Sequence, residues 1–246
     1  GIYDEQPLFI DKLKKGGAGV IDAVSMTGTN GYCDDMAKEN FREMMKEYPT
    51  KGIHFIDGGN YHYLTLLWLS LIEEPFDLIV FDNHSDMQKP AFGDVLSCGG
   101  WIRNLVEDSG FKGKVTVVGV DKDNIDKEMK ELGVKFITKQ TILKKRGQQY
   151  GLENELIDKC WTGKRPVYIS VDKDVLDEKE YKTNWNQGIM SVDELFAIIE
   201  DTFEMRKVIG MDICGEMDEA VNSEFGSIYN EINQAVNMRF LKFRIS

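Results

Sequence analysis

The stretch Asp77–Gln88, DLIVFDNHSDMQ, decides the fold. From Leu78 to Phe81 it is an unbroken apolar run containing β-branched and aromatic residues, as expected of a strand buried on both faces of a parallel sheet. Directly after it the chain turns polar and supplies Asp82, His84 and Asp86 at alternate positions. Alternate residues of an extended segment point the same way, so the three can face one point.

Similar runs stand on either side: GIHFID (52–57), KVTVVGV (114–120), VKFIT (134–138), PVYISVD (166–172) and KVIGMDI (207–213). Amphipathic, helical patterns lie at about 36–48, 61–73, 98–108, 124–132, 150–159, 191–203 and 225–242, and Ser191 with Glu194 three residues on forms a capping box. Strands alternating with helices predict an α/β fold: a doubly wound, mainly parallel sheet in a three-layer α/β/α sandwich. At 246 residues, 42% of them hydrophobic, the chain can bury one substantial core, and one domain over residues 1–246 is expected. The segment 178–190, with Asn184, Trp185, Asn186 and Gly188, reads as a long functional loop.

Composition narrows the function classes. A net charge of −12 without a basic stripe argues against nucleic acid or an anionic membrane as partner. No apolar run approaches the roughly 20 residues that span a bilayer. Cys33, Cys98, Cys160 and Cys214 form no CxxC pair, which disfavours a disulfide framework or a thiolate zinc site and fits a reducing, cytoplasmic setting.

Several strands finish on or beside an acid: Asp57, Asp82, Asp121, Asp172 and Asp212. In an open parallel sheet these ends share one rim, where ligands gather. An aspartate there can simply cap the next helix. Two denser clusters ask for more: Asp82, His84 and Asp86, and then, about 90 residues later, Asp172 and Asp174 followed by Asp177. Carboxylates crowded in a partly buried site repel one another unless a multivalent cation neutralises them. Carboxylate and imidazole without thiolate suit manganese.

These segments resemble the ureohydrolases, the arginase/agmatinase/formiminoglutamase family. Its pattern runs GGDH, DAHxD, HG and SxDxDxxDP; this chain has GGNYH at 58–62, DNHSD at 82–86, CGG at 98–100 and SVDKDVLD at 170–177. The resemblance, over roughly residues 50–216, implies an arginase/deacetylase-like sandwich with a binuclear manganese centre, two ions per chain. By carry-over Asp82, His84, Asp86, Asp172 and Asp174 are ligands, Asp82 and Asp172 bridge the metals, and Asp86 relays a proton. The implied reaction is hydrolysis of a linear C–N bond of a small guanidino compound by a metal-bridging hydroxide. Glu216 would pair with the guanidinium, and relatives commonly form symmetric homo-oligomers.

The chain departs from the family pattern at defined places. In Gly58-Gly59-Asn60-Tyr61-His62 the ligand histidine falls on Tyr61 without a gap and on His62 with one inserted residue. His62 is the expected ligand, since without it one cation lacks protein donors. Cys98 stands where relatives have a proton-shuttling histidine; as a thiol it is a poorer shuttle, as a thiolate it could bind metal instead, and it can also be a small packing residue. Glu216 aligns only past an extra Gly215, and Glu178 replaces the proline after Asp177. Two alternatives therefore stay open: a non-catalytic metal-binding relative, or a deacetylase-like amide hydrolase on the same scaffold. His54 is read as a core residue, Trp101 and Trp185 as buried, interfacial or pocket-lining.

Overall fold

Each apolar run becomes a strand, and the order in which the strands pair decides where the acids meet. The computed structural model describes residues 2–90, 93–108, 110–147, 152–217 and 226–245. In chain order the elements are α1 (Pro7–Lys15), β1 (Tyr32–Cys33), α2 (Asp35–Lys46), β2 (Ile53–Phe55), α3 (Leu64–Leu69) and β3 (Asp77–Phe81). There follow β4 (Leu96–Ser97), α4 (Trp101–Glu107), β5 (Val115–Val118), α5 (Lys127–Glu131), β6 (Lys135–Ile137), α6 (Lys139–Lys145) and α7 (Glu153–Leu156). The remainder holds β7 (Val167–Asp172), α8 (Val192–Met205), β8 (Val208–Cys214) and α9 (Gly226–Phe240).

A 6-stranded parallel sheet runs in the order β2-β8-β7-β3-β5-β6, while β1 and β4 pair separately and antiparallel. From β3 the chain moves through β5 to β6, then returns to lay β7 against the other side of β3. The winding reverses between β3 and β7, and the crevice beyond the strand ends at such a reversal is where α/β sheets bind ligands. Asp82 and Asp172 stand there side by side, each one residue past the paired Phe81 and Val171.

Alternation along the strands fills two apolar layers. Ile79 and Phe81 of β3 and Ile169 and Val171 of β7 pack with Leu195, Phe196 and Ile199 of α8 and Phe240 of α9. Leu78 and Val80 face the other way, among Phe41 and Met45 of α2, Leu67 of α3 and Ile102 and Leu105 of α4. The sandwich is thus the three-layer arrangement expected. At roughly 1.5–3 kcal/mol per large buried apolar side chain, burial rather than turn chemistry fixes these strands.

The capping box of α8 forms as read, with Ser191 Oγ accepting from Glu194 N and the Glu194 carboxylate accepting from Ser191 N. Other helices are shorter than their patterns. The stretch 61–73 is α-helical only over α3, because Gly59–Tyr61 winds as a tighter 3-10 turn, and 98–108 opens with another at Cys98–Gly100. The helix expected near 124–132 reduces to α5, which begins at the Asp126 cap. Of the pattern at 150–159, residues 150 and 151 lie outside the described residues, as does 225 of the last; α7 continues into a wide π turn at Ile157–Trp161. No helix among the described residues is long and apolar enough to cross a membrane.

Candidate metal centre

The turn after β3 supplies Asp82, His84 and Asp86; Asp172 ends β7, and Asp174 sits in the 3-10 turn Lys173–Val175 that follows. His62 enters from the opposite side, just ahead of α3. Its Nδ1 lies 2.9 Å from Asp86 Oδ2, 3.2 Å from Asp82 Oδ2 and 3.6 Å from Asp172 Oδ2. His84 Nδ1 lies 2.8 Å from Asp174 Oδ2 and 3.5 Å from Asp82 Oδ1. Asp82 therefore belongs to two donor groups, His62–Asp82–Asp86 and Asp82–His84–Asp174, each with its ligand atoms within 4.8 Å of one another. A third such group joins His62, Asp172 and Cys214.

The local backbone aims these carboxylates. Asp82 Oδ1 accepts from His84 N at 2.6 Å, Asp172 Oδ1 from Asp174 N at 2.9 Å, and Asp174 Oδ1 from Asn83 N at 3.0 Å. In each case one oxygen is tethered to the main chain and the other is left facing the histidines. Asp86 is held differently. It adopts φ 49°, the one positive φ of a non-glycine among the described residues, a strained conformation that aspartate tolerates better than most. Its carbonyl accepts from Ile102 N at the start of α4, and its Oδ2 accepts from Trp101 Nε1 at 2.7 Å.

Electrostatics and hydrogen bonding both call for a cation. Burial and repulsion from Asp82, joined at Asp172 by repulsion from Asp174, push the Asp172 and Asp174 carboxyls well above the ordinary range. Burial alone would lower the two imidazoles, but their carboxylate neighbours raise His62 far above its usual value and His84 to about 11. Both directions express uncompensated negative charge. His62 Nδ1 and Asp82 Oδ2, moreover, are fully buried without a hydrogen-bond partner, although nearly every buried polar atom in a folded protein has one. A divalent cation between them supplies both deficits, so the donor set fits a metal. Cys214 donates its thiol proton to Asp172 Oδ2 over 3.3 Å, and burial together with Asp172 keeps that thiol un-ionised.

Above this floor opens a cavity of about 190 Å³, lined among others by His84, Asp86, Gln88, Cys98, Asn60 and Trp185. Trp185, from the loop foreseen at 178–190, is 41% exposed and stands edge-on to the His84 ring at 5.6 Å. A Cβ on Gly59 would come within 2.8 Å of Trp185 and 3.1 Å of Asp172 Oδ2, so the glycine lets the two approach. Cys98 is half-buried on the cavity wall, and burial with the Asp86 charge pushes its thiol up to about 11.

Other expected residues lie elsewhere. Glu216 is 1% exposed and faces away from the cavity lining: Oε2 accepts from Lys173 Nζ at 2.6 Å, Asn237 Nδ2 at 2.8 Å and Tyr181 at 3.1 Å, and Oε1 from Asn233 Nδ2 at 2.8 Å and Gln6 Nε2 at 3.0 Å. The pairing with a substrate guanidinium expected of Glu216 is thus replaced by an internal ion pair. The physical reason is Gly215, whose φ of 85° turns the chain beneath Asp172. Convergence of all the strand-end acids is likewise corrected. Asp121 caps the turn at Lys122–Asn124, Asp57 is exposed with Oδ1 on its neighbour's Gly58 N, and Asp212 lies buried behind His62. His54 is only partly buried; it stacks on Trp68 with ring centroids 4.0 Å apart and hydrogen-bonds Tyr168, apart from the candidate centre. The bond from Trp101 to Asp86 was not foreseen; no local pattern signals it.

Known proteins share this fold. A model of the arginase family matches residues 19–218. An uncharacterised protein of Thermotoga maritima is 34% identical over 219 residues, 89% of this chain and 77% of its own length. Among solved structures, the formiminoglutamase of Trypanosoma cruzi with Mn2+ superposes with a TM-score of 0.65 at 16% identity, covering 95% of this chain and 84% of that one. Formimidoylglutamase from Bacillus subtilis gives 0.61 at 18% identity, and the match spans 82% of this chain but 66% of that protein's length.

Proposed function

The chain belongs to the arginase family, and from that premise we propose that it is a manganese-dependent hydrolase cleaving a linear C–N bond of a small guanidino or related amidine compound. The observation that carries this reading is the pair of buried, partnerless atoms His62 Nδ1 and Asp82 Oδ2 amid carboxylates. His62, Asp82, Asp86 and Asp172 would hold one cation, and Asp82, His84, Asp172 and Asp174 the other. Oxygen and imidazole donors suit manganese. When bound, a pair of divalent cations supplies an acidified water as nucleophile and Lewis acidity toward the C–N carbon.

The remaining work falls to the chain's own residues. Asp86 faces both the cavity and His62, so it is placed to hold a proton from the attacking water and hand it to the leaving nitrogen. Trp101 keeps its carboxylate in register by donating to Oδ2. Trp185 narrows the mouth above His84 and limits water at the reacting carbon. Cys98, un-ionised at neutral pH, offers a wall and a weak proton donor rather than a base.

One observation favours a neighbouring substrate. With both Glu216 oxygens occupied, no carboxylate there remains for a guanidinium or for an equally cationic formimino amidinium, which suits a neutral amide. The test is release of urea, formamide, ammonia or acetate from a panel of guanidines, formimino compounds and N-acyl amines by manganese-reconstituted protein. Turnover abolished by Asp86→Asn supports the proposal; a fully metallated protein inert toward every class contradicts it.

A further inference from the structure

The cavity above the metal centre has walls of one-sided chemistry. Two exposed aromatics, Trp185 and Tyr32, and the neutral amides of Asn60 and Gln88 line it above the aspartates, and no lysine or arginine does. All 30 lysines and arginines of the chain fall within the described residues, so none enters from elsewhere in the chain. The bases nearest in sequence to the cavity are engaged: Lys89, next to Gln88, pairs with Glu128 at 2.8 Å, and Lys173 with Glu216 at 2.6 Å.

This charge balance is hostile to an anionic substrate tail. Two divalent cations on the floor would be offset by the four carboxylates Asp82, Asp86, Asp172 and Asp174, which leaves no surplus positive charge. A carboxylate at the far end of a substrate would lose water on entering and meet no counter-ion. The net charge of −12 repels it before it arrives and draws cations instead. Trp185 supplies a partner for such a cation, since indole makes the strongest cation–π contacts of any side chain. Its loop is fastened to the turns that carry the aspartates: Asn83 Nδ2 donates to Asn186 O at 2.5 Å and Gly188 N to Asp174 O at 2.6 Å. Thr183 Oγ1 accepts from Trp185 N at 3.1 Å, so the indole is held at the mouth.

We propose that the cavity selects a substrate with an ammonium tail and that Trp185 is the specificity-determining residue that receives it, with Tyr32 lining the same mouth. For the bond that is cleaved this rests on the hydrolase reading above. It adds the chemistry of the substrate's other end: a basic tail is taken and a carboxylate tail is refused.

The experiment compares acetamides of similar length: N-acetylputrescine with an ammonium tail, N-butylacetamide with a neutral one and N-acetyl-γ-aminobutyrate with a carboxylate. Isothermal titration calorimetry on chelator-treated protein gives affinities, and manganese-loaded protein gives kcat/KM. The expected order is ammonium, neutral, carboxylate, the first exceeding the last by at least about tenfold. Trp185→Leu should weaken the ammonium probe by about 3–30-fold and the neutral one by less than about twofold, while Trp185→Phe keeps part of the difference. Gln88→Lys, a change at an exposed position of the lining, should strengthen the carboxylate probe and weaken the ammonium one. Circular dichroism checks folding, and a misfolded Trp185→Leu passes the decision to Gln88→Lys. Equal affinities, a preferred carboxylate, no binding, or a Trp185→Leu variant that weakens the ammonium and neutral probes alike overturns the proposal. If manganese-loaded protein cleaves none of the probes, amide hydrolysis fails by itself, and the order of affinities still decides the tail.

Discussion

The Lys173 ammonium donates to Glu216 Oε2 across 2.6 Å, and neither side chain is more than 1% exposed. Lys173 lies in sequence between Asp172 and Asp174, so the ion pair ties the turn that carries both to α9, through Asn233 and Asn237, and to Gln6 ahead of α1. The Tyr181 ring, 4.9 Å from Nζ, closes the knot from the 178–190 loop. A buried charge stripped of its partner is far costlier than a missing pair.

Lys173→Met or Glu216→Gln alone is accordingly expected to destabilise by about 3–5 kcal/mol, whereas the double variant loses clearly less than the sum. Denaturant unfolding of the four proteins completes the cycle. Additive losses would show that the two side chains are not coupled.

Trp101→Phe removes one hydrogen bond and keeps most of the packing. Since that bond fixes Asp86 in its strained conformation, manganese affinity and turnover should each fall by about 10–100-fold with little change in the unfolding midpoint. Titration with manganese beside a thermal melt checks this. A variant of unchanged affinity would show that the backbone alone holds Asp86.

The pKa directions fix how stability depends on pH. Asp172 and Asp174 are raised, so without metal the folded state binds more protons than the unfolded one, from the ordinary carboxylate range upward. Raised His62 and His84 continue the same sign above the ordinary imidazole value, His84 up to about 11. Stability of the metal-free protein should therefore fall as pH rises from about 5 to about 8. Metal requires deprotonated ligands, so manganese-loaded protein should show the opposite slope in the same window. Calorimetry at several pH values, with and without chelator, distinguishes the two; parallel slopes would argue against a metal on these groups.

Two glycines of similar conformation separate backbone strain from crowding at the centre. A Cβ on Gly17 (φ 72°) would meet nothing within 4 Å, whereas on Gly215 (φ 85°) it would fall 2.3 Å from Asp172 Oδ1 and 2.8 Å from Lys173 N. Gly17→Ala should cost about 1 kcal/mol, and Gly215→Ala about 1–3 kcal/mol more, with lost manganese affinity, because Asp172 must move. Equal effects in thermal melts would mean that the turn yields without disturbing Asp172.

What the sequence conveyed follows from the range over which each interaction acts. Strands buried on both faces need uninterrupted apolar runs, so β3, β5, β7 and β8 and the acids at their ends were legible, as were α2 and the capped α8. Elements with weak local signals were not: the Gln6 side chain makes no cap bond for α1, β1 and β4 have two residues each, and Thr138, read as a strand end, is the cap of α6. The position of Glu216 depended on a partner 43 residues away and that of His62 on one 108 residues away. No periodicity records such contacts. The Gly215 insertion was visible, but its effect on the direction of Glu216 required the left-handed φ.

Manganese bound per chain, quantified after reconstitution and desalting in wild type and in Asp82→Asn/Asp172→Asn, bears most directly on the metal centre. Asp82 and Asp172 both face the partnerless Nδ1 of His62, so wild type should retain roughly two ions and the folded double variant almost none. Equal metal content in the two proteins, or none in wild type, would contradict a binuclear centre at these residues.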